Sequence, residues 1–166
     1  MNRRSFLTQT TTMIAALTGA ASLWRLARPV AASAESFEVV KSDAEWHAIL
    51  NDAQYAVLRE ESTERPGTSP LLQEDRKGVF HCAGCDLAAY PSETKFESGT
   101  GWPSFWDALP GAIGTEEDKS LFMTRIEVHC RRCGGHFGHI FDDGPPPTGK
   151  RHCLNGLALI FKPATA

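Results

Sequence analysis

Hydrophobic positions follow two regimes along this chain. Ser42-Asp43-Ala44-Glu45 predicts a helix start, with Ser42 as N-cap and Glu45 completing a capping box. Trp46, Ile49 and Leu50 then fall on one helical face. A second short helix is predicted over about 52–60, with Tyr55 and Leu58 inward. Glu64-Arg65-Pro66-Gly67-Thr68-Ser69-Pro70 cannot be regular and predicts a surface loop. From Gly78 onward the pattern changes to short strands between Gly, Pro and Asp breaks, over 79–82, 88–90, 96–97, 120–130 and 153–161. Ile126, Val128 and Cys130 alternate with Glu127 and His129, the period of a half-buried strand. The apolar run 157–161 suits a central strand, and Asp142-Asp143-Gly144-Pro145-Pro146-Pro147 a rigid loop.

Composition agrees. Apolar residues are 42% and charged residues 22% of 166, a globular balance that excludes a disordered chain. Fourteen Gly and ten Pro favour short strands over a helix bundle and leave no room for a coiled coil. The fold class expected is mainly β, one domain, with small helices at the front.

The first 34 residues stand apart. Arg3-Arg4 precedes Ser5-Phe6-Leu7 and a charge-free, Thr-rich stretch to Trp24. Ala32-Ser33-Ala34 then offers a small-x-small cleavage site. These are the parts of an export signal, and the Arg pair resembles the twin-arginine type. The expectation is a leader over 1–34, a domain over 35–166 and a periplasmic or otherwise exported protein. The alternative is a membrane anchor; twenty charge-free residues just span, but the Thr content makes insertion poor. The leader holds four Arg and no acid, so the remainder carries 13 basic and 20 acidic side chains, net −7. Such a domain gains nothing from phosphates, which argues against nucleic acid as a partner. At 132 residues it is also small enough to benefit from a metal staple.

Cysteine spacing supplies one. Cys82-Ala-Gly-Cys85 and Cys130-Arg-Arg-Cys133 are two tight turns, each able to aim two thiolates at one point. Together they would complete a tetrahedron around Zn²⁺, with Gly84, Gly134 and Gly135 giving the turns backbone freedom. The 44 residues between the pairs exceed a compact zinc ribbon, so the metal would tie two β segments together. Two disulfides, or a redox Cys-x-x-Cys, are the competing readings, and export strengthens the first.

Five cysteines leave one over. Cys153, in Arg151-His152-Cys153-Leu154-Asn155, is paired between chains, buried and inert, or reactive. In a strand Arg151 would share its face and favour a thiolate, and Asn155 would share it as a neutral donor. His136 and His139 could be ligands, acid–base groups or surface residues; with four sulfurs for the metal, acid–base use is the better functional reading. Trp102, in Gly101-Trp102-Pro103, is either core or one wall of an apolar pocket.

In this order the motifs resemble methionine-R-sulfoxide reductases of the MsrB type. The resemblance runs from about Ser42 to Lys162. It rests on both cysteine pairs, Glu64-Arg65-Pro66, Thr68-Ser69-Pro70, Gly101-Trp102-Pro103-Ser104-Phe105, the run from Gly135 to Pro145, and Arg151 to Asn155. It implies two antiparallel sheets with a structural zinc away from the active site. It implies that Cys153 attacks the sulfur of methionine-R-sulfoxide, protein-bound or free, and becomes a sulfenic acid. His136 and His139 would bind and protonate the oxygen, Trp102 would hold the ε-methyl, and Asn155, Asp143 and Arg151 would bind and orient the set. The chain departs from the pattern at Thr100, where many members carry a resolving cysteine. An external thiol, small or on a thioredoxin-like partner, would then have to reduce Cys153. A monomer suffices. The competing class is a zinc-stapled binding module, which would have no need of Cys153, His136, His139 and Trp102 together.

Overall fold

A computed structural model describes residues 36–120 and 124–165. The leader expected over 1–34 lies outside the described residues. Among those described, no helix is long and apolar enough to cross a membrane.

Both predicted helices form. Helix α1 (Asp43–Ile49) begins with the Ser42–Glu45 capping box. Helix α2 (Asp52–Glu60) begins with a second one, Asn51 with Gln54. Each box satisfies two amide groups that a helix start otherwise leaves bare. Trp46, Leu50, Val57 and Leu58 turn into the core. Ile49 does not; it is 53% exposed, because the helix ends there and the chain turns out to Asn51.

Among the described residues, nine strands make two antiparallel sheets. The smaller has the order β2-β1-β9, from β1 (Gly78–Cys82), β2 (Ala88–Pro91) and β9 (Leu159–Pro163). The larger has the order β3-β4-β8-β7-β6-β5. Its strands are β3 (Lys95–Phe96), β4 (Ser104–Phe105), β5 (Ile113–Asp118), β6 (Arg125–Cys130), β7 (His136–Phe141) and β8 (Arg151–Leu154). Phe80 and Tyr90 of the smaller sheet meet Phe105 of the larger at ring distances of 5.0 and 4.7 Å. All three rings are fully buried, each contributing about 1.5–3 kcal/mol.

Three expectations need correction. The run 153–161 is not one strand. Asn155 leaves β8, a 3₁₀ turn over Gly156–Ala158 intervenes, and β9 joins the other sheet, at its edge and not its centre. Within the segment 120–130, of which 121–123 lie outside the described residues, the strand observed is Arg125–Cys130, and its alternation fails: Ile126 is exposed and His129 buried. An irregularity between Val128 and His129, where β6 pairs with β7, shifts the inward face. Strands β4, β5 and β7 were not foreseen; in β7 two Gly-flanked histidines mask the period.

Strand β8 also carries His152, buried with Nδ1 3.0 Å from the Tyr90 hydroxyl, a link between the sheets. Burial pulls its imidazole below the ordinary value. The unfolded chain therefore takes up this proton first, near pH 6.5, and the folded form only lower. Urea midpoints measured from pH 7 to pH 5 should fall, and the fall should be shallower in His152→Asn.

Candidate active site and metal centre

Cys82 ends β1 and Cys130 ends β6; Cys85 and Cys133 sit in the turns that follow. The turns are built alike. Cys82 accepts from the Asp86 amide and Cys130 from the Gly134 amide, at 2.9 and 2.8 Å. Asp86 and Gly134 occupy the same place in each turn and both are left-handed, with φ of 63° and 67°. Glycine meets that need freely; aspartate tolerates it. All four Sγ atoms lie within 4.8 Å of one another. Two close contacts run between the turns, Cys82–Cys133 at 3.7 Å and Cys85–Cys130 at 3.4 Å. A disulfide requires about 2.05 Å. A tetrahedron of ~2.3 Å metal–sulfur bonds has edges of about 3.8 Å. The donor set fits a tetrahedral metal and ties the β1–β2 hairpin to the β6–β7 hairpin. Helices α1 and α2 cover it: Trp46 packs near Gly84, and Arg59 stands over the Trp46 ring at 5.0 Å and donates to the Cys133 carbonyl.

Cys153 lies at the centre of the larger sheet, opposite Ser104 of β4 on one side and His139 of β7 on the other. It opens into a cavity of about 140 Å³ shared with Trp102, His136, His139, Phe141 and Asn155. Four of these five were singled out in the sequence. Gly138 permits the β7–β8 contact, since a Cβ there would meet the Cys153 carbonyl at 2.0 Å. Thr100 Oγ1 lies 3.8 Å from Cys153 Sγ and joins a hydroxyl chain through Ser98, at 2.9 Å, to Ser104, at 2.7 Å.

Arg151 and Asp143 stand behind this cavity. They form a two-point ion pair at 2.8 and 2.9 Å, and the guanidinium covers the Phe141 ring at 4.5 Å. Asp143 first, and then the Cys153 side chain, favour the charged guanidinium. Arg151 thus holds positive charge beside Cys153. Asn155 is buried and acts as a strut: its Nδ2 donates to the Phe137 carbonyl at 3.0 Å and its Oδ1 accepts from the Glu64 amide at 2.8 Å.

Sequence reasoning missed three supports. Glu64 is a buried hub. Its carboxylate accepts from the Gly156 and Leu157 amides at 2.6 and 3.2 Å, and its carbonyl accepts from Trp102 Nε1 at 2.8 Å. Asp118 and Glu127 each hold a histidine, at 2.8 Å from His139 Nε2 and 2.7 Å from His136 Nδ1. Asp118 was masked by an acidic run that reads as solvated surface, and Glu127 by an apparent outward position. A larger cavity of about 380 Å³ near Lys95 and Glu97 holds no comparable set.

A small pocket joining one thiol to two carboxylate-bound imidazoles and an indole, stapled by a four-thiolate centre, defines a thiol-dependent oxidoreductase. A family model described as SelR domain matches residues 50–163, and the chain belongs to that family. It is 53% identical over 125 residues to the "Peptide methionine sulfoxide reductase MsrB" of Methanosarcina barkeri, covering 75% of this chain and 88% of that one. To the protein of the same name from Agrobacterium fabrum it is 48% identical over 127 residues, covering 76% and 94%.

Removing the metal should unfold the staple. Chelator added during heating should lower the melting temperature, and metal analysis should find about one ion per chain in wild type and in Cys153→Ser alike. Glu64→Ala should cost about 3 kcal/mol in urea unfolding, since each hydrogen bond to a charged group contributes ~1.5–3 kcal/mol.

Proposed function

We propose that this chain, a peptide-methionine (R)-S-oxide reductase by family, works through a Cys153 sulfenic acid that an external thiol must reduce. The Cys153 thiolate attacks the sulfoxide sulfur, with Arg151 beside it as counter-charge. His136 and His139 bind the oxygen and deliver its proton. The oxygen passes to Cys153 as its two electrons pass to the methionine sulfur, leaving methionine and Cys153–SOH. Trp102 walls the pocket for the ε-methyl, so methyl and oxygen lie on fixed sides and one epimer fits. An incoming thiol then displaces water to form a mixed disulfide, and a second thiol releases Cys153.

The observation that carries this reading is the convergence of Cys153, His136, His139 and Trp102 on one cavity. The need for an external reductant rests on Thr100. A hydroxyl stands 3.8 Å from the thiol, and the other four cysteines cluster as metal ligands. Those four suit Zn²⁺, which supplies folding stability and no catalytic step. Oxidised proteins are the preferred substrate and a thioredoxin-like protein or small thiol the reductant. The chain acts as a monomer, without nucleic acid. Export by the twin-arginine route is supported by Arg3-Arg4, the charge-free stretch to Trp24 and the small-x-small run Ala32-Ser33-Ala34.

With dithiothreitol, wild type should reduce methionine-R-sulfoxide and leave the S epimer; Cys153→Ser should show no turnover. After one turnover without reductant, mass spectrometry should find a dimedone adduct on Cys153. An internal disulfide to Cys153 would contradict the proposal.

A further inference from the structure

Behind the two histidines lies a second cavity of about 140 Å³, with Asp118, Ser120, Arg125 and Glu127 in its walls as well as His136 and His139. The histidines, with Thr63 and Arg125, line both cavities. One holds Cys153; the other holds carboxylates. The imidazoles are engaged from the carboxylate side through different atoms, His136 by Nδ1 and His139 by Nε2. Their rings meet edge to face, with centroids 5.4 Å apart.

We propose that Glu127 and Asp118 are positioning residues. Each binds one nitrogen of one imidazole from the second chamber and so presents the opposite nitrogen, Nε2 of His136 and Nδ1 of His139, to the sulfoxide oxygen. This inference rests on the sulfoxide reading above.

The strand register builds the arrangement. Glu127 and Arg125 project from the same side of β6, and Asp118 of β5 pairs with Arg125. Arg125 Nη2 donates to Asp118 at 2.5 Å and to Ser120 at 3.1 Å. Ser120, then His139 and Arg125, hold the Asp118 carboxyl well below the usual carboxylate range. His136 also lowers the Glu127 carboxyl, against its burial. Both are ionised at neutral pH. Burial lowers the His139 imidazole, and Asp118 opposes that. The charged and titratable groups facing the histidines are Arg125 and Glu127 from β6, Asp118 from β5, Cys153 from β8 and Glu61 at the end of α2. An N–H kept on the carboxylate side leaves the proton on the pocket side as the one that transfers.

The test uses the full-length, metal-loaded chain with its histidines ¹⁵N-labelled. Imidazole NMR without substrate should show the neutral His136 ring protonated at Nδ1 and the neutral His139 ring at Nε2. Glu127→Gln should alter the first assignment alone, and Asp118→Asn the second. Each variant should lose about 10- to 100-fold in kcat, part of the ~10²–10⁴ that proton transfer supplies, with KM within about two-fold. The alkaline limb of the rate profile, where the proton-donating imidazolium is lost, should move to lower pH, and Glu127→Asp should recover part of the rate. Both rings protonated on the pocket side overturn the proposal, and so do unchanged rate profiles in Glu127→Gln and Asp118→Asn. A wild type that reduces neither epimer overturns the functional reading instead, and the tautomers still decide the positioning.

Discussion

The register between β7 and β8 governs this molecule. It sets Cys153 across from His139 and Leu154 across from Gly138. A slip of one residue would send the thiol to the opposite face of the sheet, because side chains alternate with a period of two. The close approach of Gly138 to the Cys153 carbonyl fixes that register sterically. Everything else in the site is arranged around it. The imidazoles come from one neighbouring strand, the Ser104 hydroxyl from the other, and the carboxylates from the strands beyond.

Two anchors keep the remainder in place. The thiolate centre joins the β1–β2 hairpin of the smaller sheet to the β6–β7 hairpin of the larger. Glu64 joins the long loop after α2 to the Gly156 turn and to Trp102. That loop carries little regular structure, yet it holds the indole that walls the pocket. A buried carboxylate with two amide donors does there what a strand would do elsewhere.

Local signals were legible in the sequence, and long-range ones were not. Ser42 with Glu45 announced α1 because capping is decided within four residues. The paired Cys-x-x-Cys announced the metal centre because thiolate chemistry fixes spacing. Cys153, His136, His139 and Trp102 could be picked out by residue type, and they share one cavity. The change of sheet between β8 and β9 could not be read, since 153–161 reads as one strand that ends in the apolar run 157–161. Nor could Asp118 and Glu127. Their partners lie on other strands, and before folding they resemble any exposed acid. Ile49 misled for a related reason: helical periodicity says nothing about where a helix stops.

Cys153 lies on a strand that is hydrogen-bonded along both edges. Such a residue cannot swing outward when its sulfur has been oxidised. In the proposed recycling step the motion would therefore belong to the incoming thiol. To reach Cys153 through a cavity of about 140 Å³, that thiol would have to sit at a projecting tip. The choice of redox partner would then be a matter of shape before it became one of potential.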